Sequence, residues 1–330
     1  MRAVVCHLFG DYRSLKTEDI APPALPPGSV RIAVELAAVG YAMRLWIAGQ
    51  YQRKPPLPFV PGTEVIGTVL EVAPGVISVR PGQRVLGVLD WGGWAEQCVA
   101  SEFNVYPVPD GLDSGAALHL GVSYGTAYGA LHWRAGLKAG ETLLVLAAAG
   151  GVGLGAVELG TLHGARVIAA ASSADKCALA AEHGAAATID YSHQQIRDAG
   201  RTDVVFDPVG GELAEQASRT LVPGGRHLVI GFASGKVPEL PANILLVKNV
   251  SVLGFNFGTY LGWSPADERE RHAPRVREVY SRLFAWAAEG RLRPHLSQSY
   301  ALEQVVEAMD CVQSRLSTGK VALRVGPGRS

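Results

Sequence analysis

The sequence predicts an α/β protein in which a small antiparallel β-barrel is combined with a parallel sheet covered by helices. The first observation is the pattern of residues 1–118, where short β-type runs at 30–35, 65–72, 84–89 and 95–99 are separated by proline and glycine. The second is the change after Asp113 to apolar runs that alternate with amphipathic segments. Closely spaced short strands are typical of antiparallel barrels, whereas strand–helix alternation predicts a parallel sheet.

The individual elements follow in chain order. The apolar run at 3–10 predicts a first strand rather than a signal peptide, because no small-residue cleavage site follows it. In the middle tract, strands are predicted at 142–147, 165–171, 204–206 and 226–230, and helices at 152–163, 175–183 and 213–221.

After about Gly258, a polar stretch at 263–277 leads into a helix that carries Val279, Leu283, Phe284 and Ala287 on one face. A second helix at 302–316 and a last strand at 320–325 follow. These elements are too few for a third core, so we expect the tail to pack on the first tract. The expected domains are a first part of the barrel at 1–120, a nucleotide domain at 121–258 and a return to the barrel domain at 259–330.

Composition excludes several classes of protein. A length of 330 residues predicts about two domains, at roughly 150 residues each. Thirty basic and thirty acidic residues give zero net charge, which argues against a nucleic acid as the partner. The four cysteines never form a CxxC pair, so we expect neither a zinc ribbon nor disulfides and assign the chain to the cytoplasm. Its longest uncharged apolar stretch, at 142–157, is shorter than the roughly 20 residues of a membrane helix.

A glycine-rich turn indicates a dinucleotide site. The apolar run before Ala148 is followed by Gly150, Gly151, Val152 and Gly153 and then by a helix. Gly150 allows a pyrophosphate to approach the backbone, Gly153 allows the helix to pack closely, and the helix N-terminus presents unpaired N–H groups to the phosphates. A glycine-rich turn can also be purely structural.

The end of the next strand favours NADPH over NADH. An NAD site carries an acid about 20 residues after the glycines to bind the ribose 2′-hydroxyl, but Ala171 stands there. Ser172, Ser173 and Lys176 follow, and they offer hydroxyl and ammonium donors to a 2′-phosphate. The alternative is that Ser172 and Asp175 form a helix N-capping box and that Lys176 is only solvated.

Seven segments resemble the medium-chain dehydrogenase/reductase superfamily, in particular its zinc-free quinone oxidoreductase (zeta-crystallin-like) branch. They are 58–67 (PFVPGTEVIG), 92–96 (GGWAE), 125–129 (GTAYG), 147–153 (AAAGGVG), 206–211 (FDPVGG), 230–235 (IGFASG) and 319–321 (GKV). The resemblance spans essentially the whole chain. It implies a GroES-like barrel formed by both ends of the chain, an inserted Rossmann domain, a cofactor in a cleft and a homodimer.

The resemblance also implies that no zinc is bound. Zinc-dependent members of the superfamily hold the metal with a cysteine and a histidine at positions that match Gly40 and Thr63 here, and neither residue is an ordinary zinc ligand. The zinc-free branch commonly carries an asparagine and, three residues later, an aspartate where this chain has Gly40 and Met43. We therefore expect a roomier, more apolar substrate pocket.

Further site residues are implied by the same matching of motifs. Tyr51 is the candidate phenol that orients the acceptor or donates to its oxyanion, and Tyr41 is a second candidate; Tyr51 could equally be packed on its loop with its hydroxyl in solvent. Tyr191 is expected near the 2′-phosphate or adenosine. The residues expected around the nicotinamide are Thr126, Gly231, Phe232, Ala233, Gly254, Phe255 and Asn256.

These observations predict an NADPH-dependent, zinc-independent oxidoreductase that transfers hydride to a small electrophilic acceptor, a quinone or another α,β-unsaturated carbonyl compound. Charge from the hydride spreads through such an acceptor onto a remote oxygen, where a hydrogen-bond donor can stabilise it without a metal. Two alternatives remain open. One is an enoyl-thioester reductase; the other is a relative that binds NADPH without turnover and serves as a structural or RNA-binding protein.

Overall fold

A computed structural model describes residues 1–326, which divide into two compact units. The first unit comprises Met1–Val122, Gly258–Gly290 and the described residues from Pro294 onward. The second unit comprises Ser123–Phe257 and Arg291–Arg293.

The strands within the described residues are Arg2–Val5 (β1), Lys16–Asp19 (β2), Ser29–Val39 (β3), Glu64–Val72 (β4), Arg84–Val88 (β5), Gln97–Ser101 (β6), Val105–Pro107 (β7), Thr142–Leu146 (β8), Arg166–Ala171 (β9), Ala187–Asp190 (β10), Thr202–Asp207 (β11), Leu221–Val229 (β12), Ser251–Gly254 (β13), Leu296–Ala301 (β14) and Lys320–Arg324 (β15). The α-helices in the same part of the chain are Met43–Ile47 (α1), Ser114–His119 (α2), Gly125–Tyr128 (α3), Gly151–Leu162 (α4), Ala174–Glu182 (α5), Gly211–Thr220 (α6), Ala242–Lys248 (α7), Arg269–Ala288 (α8) and Val305–Gln313 (α9). No helix among residues 1–326 has both the length and the apolar character needed to cross a membrane.

The second unit is built on a parallel six-stranded sheet in the order β10-β9-β8-β11-β12-β13. β8 is central, and its residues from Leu143 to Leu146 are fully buried, as expected for a strand with helices on both faces of its sheet. The strand order reverses direction between β8 and β11. In such sheets, ligands bind outside the carboxyl ends of the strands at this switch point. The predicted α/β class is confirmed.

The first unit contains a seven-stranded sheet in the order β14-β15-β3-β4-β5-β7, with β6 also paired to β3. β15 pairs antiparallel with β3, with Val321 opposite Val39, so the chain's last strand lies in the same sheet as its early strands. Every second residue along these strands is apolar and packs into one core cluster, to which Val34 of β3 and Val69 of β4 belong. Trp46 of α1 packs into the same cluster. β1 and β2 form a separate two-stranded sheet.

The structure corrects several predicted boundaries. The first strand ends at Val5, and β6 occupies 97–101 rather than 95–99. Helix α8 starts at Arg269, inside the stretch interpreted as polar, because its charged face is exposed while Val276, Val279 and Leu283 are buried. The predicted helix at 302–316 is a 3₁₀ turn followed by α9, which ends at Gln313. Helices α2 and α7 and the edge strand β13 are too short for their periodicity to be recognised.

Candidate functional site

The turn after β8 joins that strand tightly to α4. Ala147 adopts a left-handed conformation with a φ of 48°, which residues other than glycine rarely occupy. The N–H of Gly150 donates to the carbonyl of Ala147 over 2.9 Å, and Gly150 is the N-cap of α4. The turn therefore places the N-terminus of α4, the positive end of the helix dipole, at the carboxyl edge of the sheet, where it favours an anion.

Gly153 is the most sterically restricted position of this turn. A Cβ there would lie 2.2 Å from the carbonyl oxygen of Ala147 and 3.0 Å from the Cα of Ala148. At Gly150 a Cβ would lie 3.3 Å from the same oxygen, which is a close contact but not a clash. The turn brings together the residues of the predicted fingerprint: Ala148, Gly150, Gly151, Val152 and Gly153. Its helix N-terminus and its three glycines fit a dinucleotide pyrophosphate.

Two serines and a lysine follow β9. Ser173 is the N-cap of α5, and its Oγ accepts the N–H of Lys176 over 3.4 Å. The alternative in which Ser172 caps the helix with Asp175 is therefore wrong. Ser172 is exposed, and its Oγ accepts a hydrogen bond from Lys176 Nζ over 3.2 Å. A hydroxyl and an ammonium thus lie together after β9, and both can donate to a phosphate.

A carboxylate that the sequence argument did not consider lies at the end of the neighbouring strand. Asp190 closes β10 in register with Ala171 of β9. Its Oδ1 accepts from Ser192 Oγ over 2.5 Å and from Ser192 N–H over 3.0 Å, and the hydroxyl bond is the main cause that lowers the pKa of Asp190. These bonds hold the carboxylate in the turn after β10. In that turn, Tyr191 donates its backbone N–H to the carbonyl of Ala171 over 3.0 Å and is half-buried.

The loop after β12 is fixed to the loop after β11. The N–H groups of Gly231 and Ala233 donate to the carbonyls of Asp207 and Pro208 over 3.4 and 3.1 Å. The ring of Phe232, between them, is 43% exposed. This loop therefore presents a backbone held by hydrogen bonds and one apolar ring at the carboxyl edge.

The loop after β13 presents mainly backbone. Phe255 is buried, with its ring so close to Gly129 that a Cβ on that glycine would lie 2.3 Å from the ring. The carbonyl of Gly254 accepts from Arg134 Nε over 3.1 Å, and Asn256 is exposed. All predicted cofactor residues except Thr126 thus follow the carboxyl ends of strands in one sheet. Thr126 lies in the one-turn helix α3 and is buried.

In the first unit, β3 ends at Val39 and leads through Gly40 and Tyr41 into α1. A Cβ at Gly40 would meet no atom within 4 Å, so there is open space at this position. Met43, in contrast, is 4% exposed and packs in the core of the unit. Met43 fills the core, so the structure does not support its expected contribution to an apolar substrate pocket. Tyr41 is half-buried, and its carbonyl accepts from Gln313 Nε2 over 3.2 Å.

Tyr51 is held through the packing of its ring rather than through its hydroxyl. The ring stacks on Trp46 with centroids 4.4 Å apart and planes inclined by 19°. The phenol oxygen makes no hydrogen bond to any residue in 1–326. Burial raises the pKa of Tyr51. The phenol therefore stays protonated at neutral pH and can donate a hydrogen bond.

The loop that carries Tyr51 is anchored by the two residues that follow it. Arg53 donates from Nη1 to Asp90 Oδ1 over 2.9 Å and to the carbonyl of Gly262 over 2.7 Å. Gln52 donates from Nε2 to the carbonyl of Trp263 over 3.3 Å. Sequence reasoning missed these anchors, because the partners of Arg53 lie 37 and 209 positions away and no local pattern indicates them.

Glu64 and Lys320 form a second feature that sequence reasoning missed. Lys320 Nζ lies 2.7 Å from Glu64 Oε2, and both side chains are only 6% exposed. The other carboxylate oxygen, Oε1, accepts the N–H of Val122 over 2.7 Å. This buried ion pair connects β4 to β15. Both residues lie in motifs that carried the resemblance, but the motifs gave no signal that they pair.

The positions that match the zinc ligands of related enzymes are Gly40, which has no side chain, and Thr63, which is buried. Among the residues that the structure describes, no group of three or more His, Cys, Asp or Glu side chains is arranged to hold a metal ion.

Two family models match the chain. The alcohol dehydrogenase GroES-like domain matches residues 26–110, and the zinc-binding dehydrogenase family matches residues 151–272. Together they cover more than half of the sequence. The first match lies in the first unit, and most of the second lies in the second unit.

Curated relatives and solved structures match almost end to end. Quinone oxidoreductase-like protein 2 of Bos taurus is 39% identical over 319 residues, which cover 94% of this chain and 89% of the relative. Its homologue from Nematostella vectensis is 39% identical over 334 residues, with coverages of 98% and 88%. The quinone oxidoreductase of Thermus thermophilus, also solved with NADPH, superposes with a TM-score of 0.85 at 31% identity over 98% of this chain and all of that one. The predicted GroES-like and Rossmann fold is confirmed.

Proposed function

The chain belongs to the quinone oxidoreductase (zeta-crystallin-like) branch of the medium-chain dehydrogenase/reductase superfamily, and from this we propose that it reduces quinones or other α,β-unsaturated carbonyl compounds with NADPH. Membership makes it an oxidoreductase and supports a nicotinamide cofactor. The observation that carries the proposal is the contact between Lys176 Nζ and Ser172 Oγ, 3.2 Å long. This contact supports the proposal, because a hydroxyl and an ammonium that can donate to a phosphate follow the strand end at which an NADH enzyme carries an acid.

We assign the parts of NADPH to residues along the carboxyl edge of the second unit's sheet. The pyrophosphate is assigned to the turn from Ala148 to Gly153, because α4 begins there and the N-terminal end of a helix favours phosphate groups. The 2′-phosphate is assigned to Ser172, Ser173, Lys176 and Tyr191. The nicotinamide is assigned to Thr126 and the loops at 231–233 and 254–256.

The protein's own chemical contribution is to orient the acceptor and to stabilise its negative charge. When bound, NADPH supplies the hydride. Tyr51 donates a hydrogen bond from its phenol to the acceptor oxygen on which charge develops, and the phenol, whose pKa burial raises, keeps its proton at neutral pH. Such a donor contributes about 10² to 10³-fold to the rate. Tyr41 is the second candidate donor.

We further propose that the reaction needs no zinc. Gly40 and Thr63 replace the cysteine and histidine ligands of zinc-dependent relatives, and neither offers a thiolate or an imidazole. A conjugated acceptor delocalises charge onto a remote oxygen, so a hydrogen bond replaces the Lewis acid that an alcohol substrate would require.

One assay tests these proposals together. NADPH oxidation is followed by absorbance with a series of quinones and enones, in parallel with NADH and with protein that has been treated with a chelator. We expect turnover with at least one acceptor, a preference for NADPH and no loss after chelation. A failure of every acceptor would overturn the proposed reaction. Turnover restricted to a crotonyl thioester would instead identify an enoyl-thioester reductase.

Assembly as a homodimer is a proposal that rests on the family. Light scattering coupled to size-exclusion chromatography tests it directly. The expected mass is twice the 34.8 kDa of one chain. A mass of one chain at micromolar concentration would contradict it.

A further inference from the structure

A cavity of about 370 Å³ lies in the second unit, on the segments that lead into β11, β12 and β13. Arg197 and Arg201 precede β11, Arg219 precedes β12, and Lys248 closes α7 before β13. These segments enter the strands at their amino ends, whereas the residues assigned to NADPH follow carboxyl ends. In a parallel sheet these are opposite edges, so the cavity is separate from the proposed nucleotide site.

Four side chains that line the cavity are cations, and no lining residue is an acid. Arg197, Arg201 and Arg219 are exposed, and none forms an ion pair with a residue in 1–326. Lys248 is half-buried and donates from Nζ to the carbonyls of Arg219 and Leu221 over 2.7 and 2.9 Å. These bonds hold its ammonium at the junction of α6 and β12, the segment that carries Arg219.

The neighbouring carboxylates have other partners. Asp198 Oδ2 accepts the N–H of Gln195 over 3.0 Å, and Asp203 Oδ2 accepts the N–H of Thr142 over 2.8 Å. Both carboxylates keep their charge, so the four cations of the cavity exceed these two carboxylates by two, in a chain whose net charge is zero. Like charges that share one hollow repel each other, and an anion bound among them would offset that repulsion. The negative end of the α6 dipole is enough to explain a cation at Arg219. It does not explain why the segments before β11, β12 and β13 all bring cations to the same cavity.

We propose that this cavity binds a small polyanion that carries at least two phosphate groups. Guanidinium groups bind phosphate oxygens through two parallel hydrogen bonds, and three of them with one ammonium match the charge of a diphosphate or triphosphate. The volume lies in the range of small-molecule sites. The cations line a half-open hollow that has no aromatic residue in its lining, whereas single nucleic acid strands bind in extended grooves with aromatic rings, so a small anion is favoured.

Calorimetric titration of the full chain with tripolyphosphate, in the presence of saturating NADPH, tests the proposal. We expect one tripolyphosphate per chain and an affinity that falls as salt increases. In the double variant Arg201→Gln/Arg219→Gln, affinity should fall at least tenfold. Arg80→Gln, at an exposed arginine outside the cavity, and Lys176→Gln, at the proposed NADPH site, should bind as the parent does.

Several outcomes would overturn the proposal: no binding by the parent protein, equal binding by the double variant, or a loss of binding in Lys176→Gln, which would place the anion at the carboxyl edge. Displacement of tripolyphosphate by a single-stranded RNA at lower concentration would replace the small anion with a nucleic acid. If the double variant does not fold, the single variants Arg201→Gln and Lys248→Met give the same comparison. Because the titration does not depend on turnover, it is independent of the proposed reaction.

Discussion

The turn after β8 and the loop that carries Tyr51 obtain their shapes in different ways. In the turn, the deciding contacts join Ala147 to Gly150 and Gly153, all within seven consecutive residues. In the loop, Arg53 contacts Asp90 and Gly262, which are distant in sequence. The turn is therefore a local property of its sequence, whereas the loop depends on the fold of the whole first unit.

This difference predicts how each region responds to substitution. The turn is controlled by backbone sterics, which cannot relax when the clashing atom is a carbonyl oxygen. The loop is held by a ring stack and several hydrogen bonds, so the loss of one contact leaves the others. We expect large effects from single changes in the turn and graded effects in the loop.

The largest expected effect is that of Gly153→Ala. The new Cβ would lie 2.2 Å from the carbonyl oxygen of Ala147, so the helix or the turn must move, at a cost of about 3 kcal/mol. We expect a lower melting temperature and a loss of NADPH binding by at least 100-fold, measured by thermal shift and titration.

Gly150→Ala is the matched control for this substitution. Its Cβ would lie 3.3 Å from the same oxygen, and Gly150 has a φ of −76°, which alanine adopts freely. This variant should keep its melting temperature within a few degrees and lose mainly nucleotide affinity. Equal destabilisation by both changes would contradict the steric account of the turn.

The next largest effect is expected for Tyr51→Phe, which removes the hydroxyl and keeps the ring stack on Trp46. We expect kcat/KM to fall by about 10²-fold while the melting temperature stays unchanged. In the parent, the raised pKa of Tyr51 predicts a rate that is flat up to the ordinary phenol pKa of about 10 and falls only above it. If kcat/KM falls in Tyr41→Phe but not in Tyr51→Phe, the donor is Tyr41 rather than Tyr51.

Lys176→Ala tests the proposed 2′-phosphate contact. Loss of one charge-assisted donor should raise the Kd for NADPH by about tenfold and leave NADH binding unchanged. Lys138→Ala, at an exposed lysine of the same unit that is not assigned to the nucleotide, is the control and should leave both affinities unchanged. An equal loss of NADPH and NADH affinity in Lys176→Ala would contradict the proposed preference.

Arg53→Met tests the anchoring of the Tyr51 loop. The stem of the side chain is kept, but the bonds to Asp90 and Gly262 are lost. Because Gln52 and the stack of Tyr51 on Trp46 remain, we expect KM for the acceptor to rise only a few-fold with little change in NADPH affinity. A complete loss of activity would show that one contact controls the loop.

The smallest effect is expected for Gly40→Asn, which places a side chain in open space. Turnover of bulky quinones should fall a few-fold, while turnover of the smallest acceptors stays the same. The ratio of kcat/KM between a large and a small quinone measures this change. An unchanged ratio would show that Gly40 does not border the acceptor.

Much of the fold could be predicted because it depends on local pattern. Strand β8, the glycine turn and α4 follow from an apolar run, a set of glycines and a helical face in immediate succession. The predicted ends of helices were less accurate where one face of the helix is charged and exposed. Helix α8 starts at Arg269, inside a charged stretch, because its other face is buried.

The candidate site could be predicted only in part. The contact of Lys176 with Ser172 lies within one helical turn, so their spacing in the sequence indicated it. The register that places Asp190 opposite Ala171 depends on how two strands pair, and no single segment specifies it. Met43 illustrates the same limit, since only packing shows that its side chain lies in the core.

By itself, the sequence determined the α/β class, the glycine turn and the family, because each rests on residues that are close together or on motifs with fixed spacing. The tertiary structure alone decided the buried pair of Glu64 and Lys320, the anchors of Arg53 and the four cations at the amino edge of the sheet. These arrangements join residues that are remote along the chain. Their energies depend on distance and burial, which exist only once the chain has folded.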